Sequence, residues 1–433
     1  MKKSGLLTIV FFCMFALLSI ESCRTDLYDK EQYEKFIKYM SPVDSVDQRH
    51  EWKLTGSYSY YVTADAGENI RKVLLLDANP LSNHTVNVLN QASITDGASM
   101  WISAIVPLAQ TKLYAALVSE DGQYYVTSFN SSQTNINFSY TSPKTPSLLT
   151  LQPQTFTYIY EKDIPLVDDY DYNDIVLRMS ITKDEDTPKQ AIVNVTLVAV
   201  GCTTQVAAYL RLLDCTYDDV NDVKTADGKT FNDNLPAASK SLVNNWDLFI
   251  KGRNNQAVIC LFADAHWAMD DNQNLSENGG TFTRKYYNTD PDGDYEHYDT
   301  KAYRKQSYII TFKDEKKARE FTLDDLDPFI VTIYNGGRYE THLDNLKFAQ
   351  VLYPYPLEQD IKDLPWALEI PSESFQHPKE GIQIGFRERT ESGAVSMYGA
   401  YSTIGHSFGE WVENCESFLD WYNYPEKELV WGF

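Results

Sequence analysis

The chain has 433 residues, 43% of them hydrophobic and 13% aromatic, including 30 tyrosines, which excludes a disordered tail and gives enough apolar material for two or three cores. Its formal charge of −23 disfavours nucleic acid and anionic membrane surfaces as direct partners, and suits solubility and divalent cations.

Lys2 and Lys3 precede an uncharged apolar run from Leu6 to Ile20, followed by Glu21, Ser22 and Cys23. The run has the length of a signal-peptide core and is short for a bilayer span, which needs roughly 20 residues. Ile20-Glu21-Ser22-Cys23 resembles a bacterial lipobox, in which the cysteine is acylated and residues 1–22 are removed. Glu21 is not the usual residue at its position. Lipidation at Cys23 is the expectation, with the membrane as partner through the N-terminal lipid. Loss of Lys2, Lys3 and Glu21 would take the formal charge from −23 to −24. Arg24 after the cysteine, by resemblance to lipoprotein sorting rules, favours the outer membrane, facing either the periplasm or the cell surface.

Residues 23–50 read as a lipidated tether with a short helix, because Tyr33, Phe36, Ile37 and Met40 recur at helical spacing before Ser41-Pro42. From 51 to 140 the pattern is strand-like, in YSYYVTA, RKVLLLD, SMWISAIVPL, KLYAALVS and QYYVTSF, with Asp-Gly turns between. A small N-terminal β-sandwich is expected there. Residues 141–153, rich in Pro, Ser and Thr, read as a linker, and 154–433 as a larger β-rich body. Within it, DIVLRMSI places Ile175, Leu177, Met179 and Ile181 on one face and Val176, Arg178 and Ser180 on the other, the pattern of a half-buried antiparallel strand. Near the end Phe408, Trp411, Cys415, Phe418, Leu419, Trp421 and Tyr422 fit one helical face. The expected fold is mainly β: a small sandwich, then a larger antiparallel β-sandwich or jelly roll with a few helices near the C-terminus.

The sharpest local signal is Asp168-Asp169-Tyr170-Asp171-Tyr172-Asn173-Asp174, which runs straight into that strand. Alternating Asp169, Asp171 and Asn173 can turn their oxygens to one side, and D-x-D-x-N-D supplies the hard oxygen ligands calcium takes. Crowded carboxylates also repel, which a bound cation relieves. The metal candidates are Asp169, Asp171, Asn173 and Asp174, with Glu161 and Asp163 as the nearest additional donors; the alternative is a polar turn whose side chains cap backbone groups. An EF-hand is excluded, because Asp174 stands where glycine is needed and Ser180 where glutamate is needed. A weaker second cluster comprises Asp290, Asp292, Asp294 and Glu296.

Seven scattered histidines form no H-E-x-x-H, and G-x-S-x-G, Walker and G-x-G-x-x-G motifs are absent. Cys202, Cys215, Cys260 and Cys415 match no zinc spacing, and their pairing is left open. No catalytic residue is assigned.

The stretches YEKDIPLVDDYDYNDIVLRMSI (160–181), RYETHLDN around His342, LPWALEIP (364–371) and the closing WVENCESFLDWYNYP resemble the LruC-domain family of bacterial, mostly bacteroidete-like, lipoproteins. The resemblance spans residues 150–433 and departs from the family pattern in the Gly- and Ser-rich stretch Glu380–His406. It implies a β-rich, envelope-associated domain with an acidic element of the kind associated with calcium at Asp169, Asp171, Asn173 and Asp174, and no catalytic residue. The resulting expectation is a non-enzymatic, calcium-stabilised envelope lipoprotein that binds a carbohydrate or protein ligand. A glycan-active hydrolase using two paired carboxylates and a purely structural envelope component are the alternatives.

Overall fold

Alternation in the first half of the chain produces short strands with one apolar face. The computed structural model describes residues 45–66, 69–138, 143–161, 169–270, 284–290, 298–346, 349–353, 364–389 and 395–432. The signal segment, Cys23 and the tether helix lie outside them. The strands are β1 (Thr55–Thr63), β2 (Ile70–Leu76), β3 (Thr85–Ser93), β4 (Ser99–Pro107), β5 (Lys112–Ser119), β6 (Tyr124–Asn130), β7 (Asn135–Ile136) and β8 (Thr150–Pro153). They form a three-stranded sheet, β4-β1-β7, and a five-stranded one, β6-β5-β2-β3-β8. Tyr60, Val62, Ile102 and Val106 of the first meet Val73, Leu75, Leu113 and Leu117 of the second in one core. This sandwich follows the period-2 pattern of the sequence.

The stretch with linker composition is partly structured. Thr150–Pro153 pairs in parallel with β3, and Lys144 bridges to Tyr124. Leu149 and Leu151 cover Leu74, Leu76 and Val118 on the outer face of the five-stranded sheet. Pro and Ser spacing signals irregular backbone, but it cannot show that a second apolar face needs a cover.

The larger body uses β9 (Thr155–Tyr160), β10 (Ile175–Thr182), β11 (Gln190–Ala199), β12 (Gln205–Thr216), β13 (Val220–Thr225), β14 (Phe249–Lys251), β15 (Gln256–Phe262), β16 (Tyr286–Tyr287), β17 (Tyr298–Asp299), β18 (Arg304–Phe312), β19 (Leu326–Tyr334), β20 (Gly337–Thr341), β21 (Ala367–Ile370), β22 (Phe386–Arg389) and β23 (Val395–Tyr398). Short helices α1 (Ala237–Val243), α2 (Ala265–Met269), α3 (Glu315–Glu320) and α4 (Phe408–Glu413) are spread between and after them. Sheet β13-β18-β11-β10-β9-β21 faces sheet β14-β15-β12-β19-β20. Between them lie Tyr158, Leu177, Val193 and Ile310 from one side and Ala208, Leu210, Ile259 and Ile330 from the other. Among the described residues no helix is long and apolar enough to cross a membrane. Cys202, Cys215 and Cys260 are buried, Cys415 is half-buried, and none of the four is in a disulfide.

Two expectations need correction. Strand β10 is not half-buried: Val176 is 1% exposed and Ser180 7%, because the C-terminal segment covers the second face of its sheet. There Val176, Val198, Leu368 and Ile370 pack with Phe408, Trp411 and Trp421. The closing aromatic run is also not one helix. α4 starts at a capping box in which the Ser407 hydroxyl accepts from the Glu410 amide at 3.2 Å and Glu410 Oε2 accepts from the Ser407 amide at 3.2 Å. It ends at Asn414, which has φ −149°, and Trp421–Asn423 returns as a single 3₁₀ turn. Helical spacing identifies the buried side chains without revealing that the chain leaves the helix between them.

The RYETHLDN stretch has a structural role on the outer side of the second sheet. Arg211 reaches Asp327 at 2.7 Å, while His342 Nδ1 lies 3.0 Å from Asp327 and Nε2 3.2 Å from Glu340. Glu340 also accepts from the amides of Val351 (2.8 Å), Leu352 (2.6 Å) and Tyr353 (2.7 Å), pinning that segment to β20. Burial depresses the imidazolium, but the charges and hydrogen bonds of Asp327 and Glu340 outweigh it and hold His342 up to about 9. A folded pKa above the ordinary 6.5 gives stability that is full below that value and lost as pH rises through about 9. Unfolding free energy measured between pH 7 and 9 should therefore fall, by about 2 kcal/mol, and the slope should flatten in His342→Gln.

Candidate metal centre

Strands β9 and β10 form a hairpin in register from Tyr160↔Ile175 to Thr155↔Ser180, so residues on either side of the connection meet at one end of the sheet. Glu161 directly follows β9, its amide bonded to Trp366 O at 2.9 Å, and is fully buried. On the returning limb, Tyr170 (φ 55°) and Tyr172 (φ 51°) both sit in the left-handed region. That conformation costs a bulky residue on the order of 1–3 kcal/mol. Burial of both rings and the bond from Tyr172 Oη to Pro365 O (2.6 Å) hold it in place. Left-handed residues at alternate positions re-aim the peptide groups, and the Asp171 carboxylate between them, with Asp169 just before, lies close to Glu161.

The result is that Glu161, Asp169 and Asp171 each bring a carboxylate oxygen within 4.8 Å of the others. Asp171 is 1% exposed and Asp169 half-buried. One Asp171 oxygen accepts from the Asn173 amide at 3.2 Å and the other from the Gly381 amide at 2.9 Å, while Glu161 accepts from the Tyr172 amide at 3.2 Å. Burial first, then the charges of Asp169, Glu380 and Asp174, push the Asp171 carboxyl well above its ordinary range.

Asn173 and Asp174, also metal candidates from the sequence, are fully buried, and the Asp174 carboxylate is not one of the three that converge. The Asn173 amide donates to Pro378 O at 3.3 Å. Its Oδ1 lies against Gly201, where an added Cβ would come within 1.6 Å of it, and has no hydrogen-bond partner. The Gly201 amide in turn bonds the carbonyls of Asn173 (2.9 Å) and Asp174 (3.1 Å), so this half of the motif locks the loop onto the β11–β12 turn. Asp163 lies outside the described residues, as do Asp292, Asp294 and Glu296 of the second cluster. Asp290 is described, and is buried.

Sequence reasoning missed Glu380. It arrives from the segment after β21, which is tied to the acidic loop by Ile384 N to Tyr170 O at 2.8 Å. Thr289 then secures Glu380 through its hydroxyl (3.0 Å) and its carbonyl (2.8 Å), beside Asp290. The only signal was a Lys-Glu-Gly turn, which is ordinary in loops.

The donor set fits a hard cation. Two oxygens each about 2.4 Å from one calcium ion are at most about 4.8 Å apart, and the three carboxylates meet that necessary condition pairwise. The converging groups are all carboxylates, with no histidine or cysteine among them, a donor set that suits calcium better than zinc or copper.

Fold and site together define a class: a mainly β protein of two sandwiches, with a buried carboxylate cluster at a hairpin end of the larger one. Residues 189–422, more than half of the chain, match the family described as "Domain of unknown function (DUF4842)", and the chain belongs to that family. The crystal structure of a Bacteroides ovatus protein described as a "putative lipoprotein" is similar, with a TM-score of 0.50 and 15% identity over 83% of this chain and 99% of that one. At that identity the likeness is one of fold. No curated protein matches the chain.

Proposed function

We propose that this is an exported, non-enzymatic envelope lipoprotein, anchored through Cys23, whose larger sandwich binds a calcium ion and whose body engages a carbohydrate or protein ligand. The observation that carries the calcium reading is the convergence of Glu161, Asp169 and Asp171 within 4.8 Å at a largely buried hairpin end. Buried carboxylates in mutual repulsion are costly unless a cation or proton neutralises them. Glu161 and Asp171, at 0% and 1% exposure, are closed to a polymer substrate, which favours a structural ion over acid–base work. Calcium bound here would fasten the β9–β10 connection to the segment that carries Glu380.

The anchor reading rests on the lipobox-like Ile20–Cys23, the LruC-type resemblance and the description given to the Bacteroides ovatus relative. An outer-membrane address follows from Arg24 after the cysteine. Acyl chains contribute about 0.8 kcal/mol per buried methylene, so a multiply acylated cysteine would hold the protein stably.

Metal analysis of protein dialysed against micromolar calcium should find roughly one calcium per chain, lost in Asp171→Asn. A wild-type protein without calcium would overturn the metal reading. Labelled palmitate should be incorporated by the wild type and not by Cys23→Ser; equal labelling would overturn the anchor.

A further inference from the structure

The outer face of the three-stranded sheet is divided into two halves. Toward one end, Ile105 is buried in the core of the larger sandwich and Ser57 bonds to Asp324. Toward the other, cross-strand partners Tyr61 and Trp101 stand in solvent, 36% and 58% exposed, with ring centroids 5.3 Å apart and planes inclined by 57°. Exposing a tryptophan to this extent gives the fold nothing that a threonine would not, whereas an exposed Tyr–Trp pair is a common feature of recognition surfaces.

The surroundings narrow the chemistry. On one side of the aromatic pair Ser59 Oγ meets Ser103 Oγ at 2.9 Å, and on the other Thr63 Oγ1 meets Ser99 Oγ at 2.9 Å. Asn135, on the parallel neighbour β7, lies in register with Tyr61 and is exposed. Neither β1 nor β4 contains a charged residue, in a chain of net charge −23. Each hydroxyl keeps donor or acceptor capacity beyond its cross-strand bond, and the amide offers both. The face is therefore an inclined aromatic floor bordered by neutral hydrogen-bonding groups.

We propose that the β1–β4 face around Trp101 and Tyr61 binds a neutral pyranose-based glycan. The apolar C–H face of one sugar ring lies on the indole, whose negative π face attracts it, and its equatorial hydroxyls reach Tyr61, the Ser and Thr pairs and Asn135. Charge complementarity selects this occupant: an anionic polymer is repelled by the acidic body, and a basic peptide finds no carboxylate on β1 or β4. The proposal deepens the binding role given above and rests on it, but it is independent of the calcium site, which lies in the other sandwich.

The test uses the full chain in detergent with neutral gluco-, manno-, galacto- and xylo-oligosaccharides as probes and polygalacturonate as the anionic control. Binding is followed by calorimetry and tryptophan fluorescence, with calcium and with chelator. At least one neutral probe should bind in both conditions. Trp101→Ala should weaken it about tenfold or more without moving the melting midpoint, and Trp101→Phe should retain part of the affinity. The proposal is overturned if no neutral probe binds, if Trp101→Ala binds as well as wild type, or if polygalacturonate binds equally. It is also overturned if Trp101→Ala instead abolishes a dimer in sedimentation, which would make the face a contact between copies. Glycan binding that persists in a protein without a calcium response would separate this inference from the metal reading.

Discussion

Calcium at about one hundred times its dissociation constant is expected to stabilise the folded chain by about 2.7 kcal/mol, because in the proposed site it would bind the native carboxylate cluster and not the unfolded chain. For a body of this size that corresponds to a rise of about 5 °C in the melting midpoint, reversed by chelator. Magnesium should give less, since it holds its water and demands a tighter octahedral shell. The Asp171→Asn variant separates the ion from the fold. Its amide oxygen can still accept from the Asn173 or Gly381 backbone, but the variant removes one of the charges that Asp169, Glu380 and Asp174 oppose. In chelator its midpoint should therefore equal or exceed that of the wild type, and calcium should leave it unmoved. An identical calcium shift in variant and wild type would place the ion elsewhere.

Trp421→Ala is expected to cost about 3–5 kcal/mol, the range for deleting a fully buried aromatic. Trp421 is 0% exposed, meets Tyr401 and Phe408 edge-on at 5.1 Å each, and stacks with Trp411 at 5.8 Å. This cluster is the second core of the larger sandwich, covering Val176, Leu368 and Ile370. Tyr170 and Tyr172 belong to it as well, so the same substitution should weaken calcium binding from outside the acidic cluster. Chemical denaturation with and without calcium measures both effects. A loss below about 1 kcal/mol would contradict an integral C-terminal cover.

The strands were legible wherever one face alone is buried. In β1, Tyr60 and Val62 point inward while Ser59 and Tyr61 point out, and the alternation is written directly in the residues. The acidic hairpin was legible for a related reason: D-x-D-x-N-D keeps its carboxylates on alternate residues, and Glu161 was near enough in sequence to be considered. Glu380 was not, because the segment after β21 reaches the loop through backbone amides that donate to the Tyr170 carbonyl and the Asp171 carboxylate, and no periodicity encodes such pairing. The same non-locality hid the cover on β10. Val176, Arg178 and Ser180 look like a solvent face until the aromatic segment from Phe408 to Tyr422 folds over part of it. The motif was also divided in a way spacing could not express. Asp169 and Asp171 turn to the carboxylate cluster, whereas Asn173 braces Gly201 and Pro378.

The central claim is that the hairpin end is a calcium site, and anomalous diffraction from crystals grown with calcium tests it most directly. The account predicts an anomalous peak with oxygens of Glu161, Asp169 and Asp171 at about 2.3–2.6 Å, and no peak in Asp171→Asn crystals. A peak at other residues, or a water or lysine ammonium bridging these three carboxylates in the presence of millimolar calcium, would contradict it.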